Sequence, residues 1–398
     1  MGIKILHTAD LHLDTSFREM PPNKIGERKA DLLDVFKKIL EIGQKQKVDF
    51  IIIAGDLFDA PMEGSADTLQ IVKDQLSRIS PRKIFITPGN HDPCIIGSPY
   101  YDTDWPENVH IFRDNQFETV ELDDLGVKIY GIANTKFNDD TDYLKNLKVS
   151  DKSVINIVIM HGSYQADWMP EKYSREVAFP FTPLDLKKAG ADYYALGHYH
   201  EFKDIGKENK DMFGCYPGCP EGRGFDEKGE KGIVLAEISK KSVSIRQIVT
   251  CIKKYQTLEF DCTGAKTKED IVDKIKEGQK EEWRQLIAKI CLYGEYDPGL
   301  SVDLEYISGE IRNIFYYVRM ATKKDNFYPV YNLEEIESQR NVVGEFVRFI
   351  KKQIGEISDE DEKLKLKHAL YYGLDGFYRN EIKERYTYME QGNDNQEN

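Results

Sequence analysis

The feature that most constrains the fold is a series of short, nearly all-apolar runs in the first part of the chain. The runs are IKILHTA (3–9), DFIIIAG (49–55), KIFITPG (83–89), KIYGIA (128–133), INIVIMHG (155–162) and DYYALGH (192–198). Such runs are typical of strands that are covered on both faces. The segments ERKADLLDVFKKILEIG and SADTLQIVKDQLSRI separate the first three runs and carry apolar residues at helical spacing. This alternation predicts a largely parallel, layered α/β core, and GIVLAEISKKSVSIRQIV (232–249) predicts a hairpin that closes it.

The pattern changes after Thr250 and predicts a division of the chain. We expect a first domain over 1–250, because the apolar runs lie there. Segments that alternate between strand-like and helix-like patterns predict a small α/β domain over 251–330. The chain is then expected to be helical over 331–390 and disordered over 391–398. The helical part carries one apolar stripe, formed by Val343, Val347, Ile350, Ile354 and Ile357.

Composition narrows the class of protein. Of the 398 residues, 40% are hydrophobic and 11% aromatic, which predicts a globular protein. No apolar run approaches the ~20 residues that span a bilayer, and the start MGIKILHTAD lacks the features of a signal peptide. The six cysteines form no Cys-x-x-Cys pair, so we expect thiols in a reducing compartment. The prediction is a cytoplasmic protein without membrane association.

The formal net charge is −14. A charge of this sign argues against a protein that coats DNA non-specifically. It does not exclude a local nucleic-acid groove, or one that is reached through metal ions.

Polar side chains follow five of the apolar runs directly. The motifs are TADLH with Asp10 and His12, GDLFD with Asp56 and Asp59, GNHD with Asn90, His91 and Asp92, HGSY with His161, and GHYH with His198 and His200. Five of the eight histidines lie in these motifs. Because the carboxyl ends of parallel strands meet at one edge of a sheet, we expect these side chains to form one site.

The chemistry of this set fits a pair of metal ions. Carboxylate and amide oxygens with neutral imidazoles are ligands of borderline divalent ions, and no thiolate is required. Two ions about 3.5–4 Å apart need one shared anionic ligand, and a carboxylate can bridge them. Residues i and i+2 of an extended segment point to one side, so ADLH and GHYH are each expected to aim two ligands at the site.

Each motif alone has an ordinary interpretation. A single Asp-x-His can be a capped strand end, and GDLFD can be a turn that uses Gly and Asp. Together and in this order, each after a strand, the motifs favour the metal site. His7, His110 and His368 are expected to be structural or surface residues, and Asp92 to be a turn residue.

At this point the sequence resembles a known family. DLH, GDLFD, GNHD, MHG and GHYH match, in order, the signature of calcineurin-like metallophosphoesterases over about residues 1–250. GDLFD and DYYALGHYH are also similar to the DNA-repair exonuclease branch, with its SbcD-like and YhaO-like members, and YPGCPEGRGFDEKGEKG (216–232) resembles the YPG segment of the latter. The resemblance implies an α/β fold: a two-sheet β-sandwich flanked by helices, with a small α/β capping domain and C-terminal helices.

The resemblance also implies roles for individual residues. Asp10, His12 and His200 would hold one metal, Asn90, His161 and His198 would hold the other, and Asp56 would bridge them. His91 would act on the scissile phosphate as a general acid or transition-state donor, oriented by Asp59. Some relatives carry His at the position of Asp59, which leaves an Asp–His pair here. Apart from the resemblance, Arg223 in PEGRGF is a candidate contact for a substrate phosphate, with a solvated loop side chain as the alternative.

The expected function is metal-dependent hydrolysis of phosphodiesters, with DNA cleaved as an exonuclease or endonuclease of DNA repair. Mn²⁺ is the first expectation for both metal ions, with Fe or Zn as alternatives. The expected partners are DNA, an SbcC-like coiled-coil ATPase and a second copy of the chain. One alternative is a phosphatase or small-molecule phosphodiesterase, which would not need the residues after Thr250. The other is mainly a DNA-end-binding subunit of an ATPase complex, which would not need a complete ligand set.

Overall fold

The structure is a computed structural model that describes residues 2–59, 66–165, 177–207 and 213–379. The chain forms two compact units, Met1–Tyr255 and Gln256–Asn398. The predicted tail over 391–398 lies outside the described residues. The finer division of the second unit at residue 330 stays a prediction.

The first unit is built on two six-stranded sheets. The first sheet has the order β12-β11-β1-β2-β3-β4, and the second has the order β5-β6-β7-β8-β10-β9. The strands are β1 (Gly2–Thr8), β2 (Phe50–Ala54), β3 (Lys83–Thr87), β4 (Val109–Ile111), β5 (Glu118–Leu122), β6 (Val127–Gly131), β7 (Ile155–His161), β8 (Tyr193–Gly197), β9 (Lys203–Asp204), β10 (Gly214–Tyr216), β11 (Gly232–Ser239) and β12 (Val243–Val249). The helices are α1 (Pro22–Lys45), α2 (Ala66–Arg78) and α3 (Pro183–Ala189).

The strand directions agree with the predicted α/β core. Strands β1, β2, β3 and β4 pair in parallel, and β6, β7, β8 and β10 do so in the second sheet. The predicted hairpin is β11–β12, and β11 pairs antiparallel to β1. The six apolar runs of the sequence are β1, β2, β3, β6, β7 and β8, so these predictions are confirmed.

The two sheets share a hydrophobic core. Alternate side chains of the first sheet, such as Ile5 and Ile52, pack in one buried cluster with Ile157 and Ala195 of the second. On the outer face of the first sheet, α1 packs so closely that a Cβ at Gly43 would contact side chains of β1 and β2. On the outer face of the second sheet, α3 joins a cluster with β7 and β8. The predicted two-sheet sandwich flanked by helices is confirmed.

The second unit contains a three-stranded sheet with the order β13-β14-β15. The strands are β13 (Lys254–Asp261), β14 (Leu286–Tyr296) and β15 (Tyr317–Pro329), and the helices are α4 (Lys268–Glu277) and α5 (Leu304–Ile311). Thr267 caps α4 in a capping box with Asp270, which explains where the helix begins. The sheet and both helices surround one apolar cluster.

Three further helices complete the second unit: α6 (Leu333–Ser338), α7 (Val342–Glu356) and α8 (Glu360–Arg379). They form a separate apolar cluster, in which Val347 and Ile350 of α7 pack with Leu370 and Leu374 of α8. The C-terminal helices are therefore present, as predicted. None of the helices in the described residues has the length and apolar character needed to cross a membrane.

Candidate metal centre

The candidate site residues lie at the ends of strands from both sheets. Asp10 and His12 follow β1, Asp56 follows β2, and Asn90 and His91 follow β3. His161 is the last residue of β7, and His198 and His200 follow β8. Within each sheet these strands are parallel neighbours, so their carboxyl ends meet at one edge. All the strand-end residues predicted as ligands come together there.

The backbone at this edge is not extended, which corrects one expectation. Asp10, His12 and Asp56 have left-handed φ angles of 54°, 45° and 49°, and His198 has a φ of 116°. Side chains i and i+2 of ADLH therefore do not converge because of a strand-like backbone. They converge because Asp10 and His12 both have left-handed backbone conformations, which cost energy for residues other than glycine and are typical of functional sites.

Asp10, His12 and His200 form the first group of donors. His12 Nε2 lies 3.3 Å from His200 Nε2, and Asp10 Oδ1 lies 3.8 Å from the same atom. One donor atom from each residue lies within 4.8 Å of the other two. Asp10 and His12 are fully buried, whereas His200 is partly exposed.

Asn90, His161 and His198 form the second group. Asn90 Oδ1 lies 3.0 Å from His161 Nε2 and 3.2 Å from His198 Nδ1. The backbone N–H of His198 also donates to both carboxylate oxygens of Asp10, at 3.1 and 3.2 Å. This hydrogen bond connects His198 of the second group to Asp10 of the first.

Asp56 stands between the two groups. Its Oδ2 lies 3.4 Å from His12 Nε2 and 3.3 Å from His161 Nε2. Its Oδ1 accepts a hydrogen bond of 2.9 Å from the backbone N–H of His91. The side chain is 1% exposed, so its charge is shielded from water and directed at the donors on both sides.

Oxygen acceptors hold the outer nitrogens of three histidines. The Nδ1 atoms lie 2.9 Å from Asp59 Oδ1 for His12, 3.0 Å from the Ala54 carbonyl for His161, and 2.7 Å from Glu227 Oε1 for His200. An Nδ1–H that donates to oxygen leaves Nε2 with a lone pair. The Nε2 atoms of all three rings face the centre of the site, where each can supply a lone pair to a metal ion.

The electrostatics of the site favour positive charge at its centre. Burial would raise the pKa of Asp56, but the neighbouring imidazoles of His161 and His12 hold it well below its usual range. Burial would likewise lower the pKa of His161, but the carboxylates of Asp56 and Asp10 raise it to about 9. In contrast, burial and the charge of Arg223 lower the pKa of His12 to about 3.

These residues fit the binding of divalent metal ions. Two ligands about 2.1 Å from the same ion lie about 3 Å apart, and Asn90 Oδ1 has this spacing from both His161 Nε2 and His198 Nδ1. The set contains carboxylates, an amide oxygen and imidazoles, which suits borderline divalent ions. The ligand assignments of individual residues stay predictions.

His91 lies at the rim of the site and has 37% of its side chain exposed. Its Nδ1 lies 3.2 Å from the backbone carbonyl of Asp59 and 3.7 Å from the carboxylate. The short carboxylate contact of Asp59 is with His12 instead. Asp59 therefore touches both histidines, and its carboxylate is closer to the predicted ligand than to the predicted donor.

Arg223 lies at the site, but its guanidinium is engaged by acidic side chains. Nη2 donates to Glu227 Oε1 at 2.6 Å, and Nη1 lies 3.3 Å from Asp59 Oδ1. Only 15% of the side chain is exposed. A contact with a substrate phosphate stays a prediction.

Sequence reasoning missed Glu227, which is buried and contacts both His200 and Arg223. The sequence around it, EGRGFDEKGEKG, contains four acidic residues and no strand pattern. Two of the four, Glu221 and Glu227, are buried, and the sequence alone does not show which. The only signal was its place in the YPG segment.

The remaining polar residues behave as structural residues. Asp92 accepts hydrogen bonds from the backbone N–H groups of Gly89 and Phe58 and from the Tyr100 hydroxyl, which fixes the GNHD turn. Burial, with the nearby charge of Asp56, raises the pKa of Asp92 to about 7. His7 is fully buried, and His110 is half-buried beside Glu118 on the surface.

Comparison with known families agrees with this architecture. The family model described as calcineurin-like phosphoesterase matches residues 3–202, about half of the chain. The chain therefore belongs to the calcineurin-like phosphoesterase family. This match contains every predicted ligand.

Several curated proteins are similar to the chain. The uncharacterized metallophosphoesterase YhaO of Bacillus subtilis (strain 168) is 29% identical over 250 residues, which cover 61% of this chain and 59% of that protein. The DNA double-strand break repair protein Mre11 of Thermoplasma acidophilum is 25% identical, over 61% of this chain and 64% of that protein. Mre11 of Saccharolobus solfataricus is 24% identical, over 74% of this chain and 76% of that protein. The matches to the first two relatives span about three fifths of their length.

Proposed function

We propose that the chain is a metal-dependent phosphodiesterase that cleaves DNA, as an exonuclease or endonuclease of DNA repair. The observation that carries the proposal is the central position of Asp56. Its Oδ2 lies within 3.4 Å of a histidine nitrogen from each donor group. A single carboxylate between two groups of donors can bridge two metal ions, as a dinuclear centre requires.

In the proposed reaction the metal ions and the protein side chains have separate roles. Bound ions would activate water and offset charge on the phosphate oxygens. Asp10, His12 and His200 would bind one ion, Asn90, His161 and His198 the other, and Asp56 both. His91, which is exposed at the rim, would stabilise the transition state or protonate the leaving oxygen. The backbone carbonyl of Asp59 would orient its ring.

The choice of DNA as substrate rests on the relatives. Two of the similar proteins are named DNA double-strand break repair proteins. We also propose Mn²⁺ as the metal, on the chemistry of the ligand set, together with an SbcC-like ATPase as a partner, self-association, and a cytoplasmic location. The second unit would then comprise a capping domain over 251–330 and a partner-binding helical region over 331–390.

A cleavage assay with defined DNA ends tests this function. The full chain is incubated with Mn²⁺ and blunt, recessed or single-stranded ends, with and without the ATPase. Cleavage that Mn²⁺ restores after treatment with a chelator would support the proposal. Hydrolysis of phosphomonoesters or small phosphodiesters alone, with no cleavage of any DNA, would favour the alternative enzyme. Binding of ends without any hydrolysis would favour a DNA-end-binding subunit.

A further inference from the structure

A buried carboxylate stands directly behind one of the predicted ligands. Glu227 Oε1 lies 2.7 Å from His200 Nδ1, and the residue is 4% exposed. Arg223 Nη2 lies 3.0 Å from the same nitrogen. A carboxylate and a guanidinium at these distances fix the ring orientation of His200.

Arg223 joins this carboxylate to a second one. Its Nη2 donates to Glu227 Oε1 at 2.6 Å, and its Nη1 lies 3.3 Å from Asp59 Oδ1. Asp59 Oδ1 in turn lies 2.9 Å from His12 Nδ1. The contacts therefore run without interruption from His200 through Glu227, Arg223 and Asp59 to His12.

The loop that carries Arg223 is itself anchored. The backbone N–H of Arg223 donates to Glu227 Oε2 at 2.7 Å, so both oxygens of Glu227 are used. The backbone carbonyl of Arg223 accepts a hydrogen bond of 2.9 Å from the Tyr255 hydroxyl. This side chain and its backbone are thus held from several directions, which suits a rigid connection between two ligands.

The second donor group has a different support. His161 Nδ1 lies 3.0 Å from the backbone carbonyl of Ala54, and His198 Nδ1 faces Asn90 within the group. Carboxylate side chains therefore hold the Nδ1 atoms of His12 and His200, and mutation can remove them. A backbone carbonyl of β2 holds the Nδ1 atom of His161, and mutation of a side chain does not remove it. Substitutions in the 223–227 loop should therefore change the metal affinity of the first donor group more than that of the second.

We propose that Glu227 and Arg223, together with Asp59, form a strut that positions His200 and His12 for one of the two metal ions. Glu227 and Arg223 are positioning residues, since they act through the ligands. The inference rests on the proposed dinuclear function. It adds that affinity at the Asp10–His12–His200 position is set by the 223–227 loop and can be lost separately from affinity at the other position.

Mn²⁺ binding to the full chain tests the strut. Calorimetric titration counts the ions and measures each affinity, while electron paramagnetic resonance distinguishes a coupled Mn²⁺ pair from an isolated ion. Glu227→Ala should weaken one of the two positions by about 10–100-fold, the usual effect of losing such a partner, and leave the other unchanged. At Mn²⁺ levels that fill both wild-type positions, the variant should show the isolated-ion spectrum. Glu227→Gln, which keeps the shape and an acceptor, should show a smaller loss.

Glu221→Ala is the matched control. Glu221 is also buried, lies in the same segment, and pairs with Arg28 at 2.6 Å, the distance of the Glu227–Arg223 pair. Its carboxylate contacts Arg28 and the backbone N–H groups of Ile252 and Lys253 rather than a predicted ligand. It should therefore lower thermal stability without changing either Mn²⁺ affinity.

The outcomes separate this inference from the proposed function. Wild-type protein that binds no Mn²⁺ pair would overturn both. A wild-type pair combined with unchanged affinities in Glu227→Ala, or with equal losses in Glu227→Ala and Glu221→Ala, would overturn the strut alone. Arg223→Met should weaken the same position as Glu227→Ala. A raised KM for DNA with unchanged metal affinity in Arg223→Met would overturn the role of Arg223 and indicate a phosphate contact.

Discussion

Asn90 and His91 are neighbours in the GNHD motif, but their side chains lie in different parts of the site. The Asn90 amide oxygen lies close to ring nitrogens of His161 and His198, whereas the His91 ring lies at the rim, with its Nδ1 near a backbone carbonyl. The backbone N–H of His91 donates to Asp56, and this contact does not depend on the side chain of His91. The ring can therefore be removed without removing a contact to the predicted bridging carboxylate.

His91→Ala should retain two Mn²⁺ ions and lose most phosphodiesterase activity. Removing one transition-state donor typically costs about 10²–10³ in rate. Metal content by elemental analysis and cleavage rates on the same preparation measure the two effects. Because His91, His12 and Asp59 also have donor atoms within 4.8 Å of one another, a loss of metal in step with activity would show that His91 is a ligand instead.

His7 gives a residue-scale prediction away from the metal ligands. It is fully buried between the sheets, with Nδ1 3.1 Å from the Tyr193 hydroxyl and Nε2 3.2 Å from the Leu196 carbonyl. Burial lowers the pKa of His7 to about 3, against a usual value of 6.5. Between these values the unfolded chain binds the proton and the folded chain does not, so the free energy of unfolding falls as the pH drops below 6.5.

His7→Gln should remove this part of the pH dependence. Between pH 6 and 4, protonation of His7 in the unfolded chain should lower the free energy of unfolding of the wild type by up to about 1.4 kcal/mol per pH unit. The variant should lack this contribution. Urea unfolding of both proteins across this range measures the difference, in which the titration of other groups cancels. Parallel curves for the two proteins would contradict the assignment.

At the scale of the elements, glycines let strand ends approach one another. A Cβ at Gly197 would overlap the carbonyl oxygen of Ala54 and lie 2.8 Å from His161 Nδ1. That carbonyl is the acceptor that holds His161. The Gly before His198 therefore allows β8 to come close enough to β2 for ligands from the two sheets to meet.

Gly197→Ala should destabilise the first unit by about 1–3 kcal/mol, because the added methyl group forces the strand ends apart. It should also weaken Mn²⁺ binding, since the support of His161 moves. Gly26→Ala is the control: it lies within α1 with no atom within 4 Å of the added Cβ, and should stabilise the helix by about 0.5–1 kcal/mol. Thermal unfolding and Mn²⁺ titration measure both. Normal metal affinity in Gly197→Ala would show that the close approach is not needed.

Periodicity explains which elements could be predicted. Strands such as β2 and β7 are buried on both faces, so their sequences are continuous apolar runs that stand out. The edge strand β5, ETVEL, is largely exposed, and β9 has only two residues; neither has a pattern long enough to recognise. The ligands could be found because each follows a clear strand. The left-handed turns and the burial of Glu227 could not, since both depend on contacts distant in sequence.

At the scale of the whole molecule, the predicted apolar stripe of α7 packs against other helices of the second unit. Val347 and Ile350 are buried against α8, and Val343 and Ile354 pack at the edge of the same cluster. The stripe is therefore not the surface that a partner would cover. Other apolar side chains of α7 are exposed, notably Val342 at 71% and Phe349 at 60%. These are the residues that a coiled-coil partner could contact.

Truncation after Tyr331 separates the chemistry from this helical region. Every predicted ligand, together with His91, Arg223 and Glu227, belongs to the first unit. The truncated chain should therefore keep Mn²⁺ loading and hydrolysis of a small model phosphodiester near the full-length level. It should lose co-purification with the ATPase, because α6, α7 and α8 are absent. Removing Asp375 also deprives the Tyr331 hydroxyl of its 2.6 Å hydrogen bond, so Tyr331→Phe in the full chain serves as the control for that loss.

A second variant tests the exposed face without truncation. Val342→Asp combined with Phe349→Asp places charge on side chains that are already in water, so thermal stability should change little. If α7 binds the ATPase, the double variant should lose the partner as completely as the truncation does, while hydrolysis of the model substrate continues, because desolvating two new carboxylates at an interface is costly. A truncated chain that is stable, active and still binds the ATPase would refute a role for these helices in partner binding. Loss of the partner on truncation but not in the double variant would place the contact on another face of the helical region.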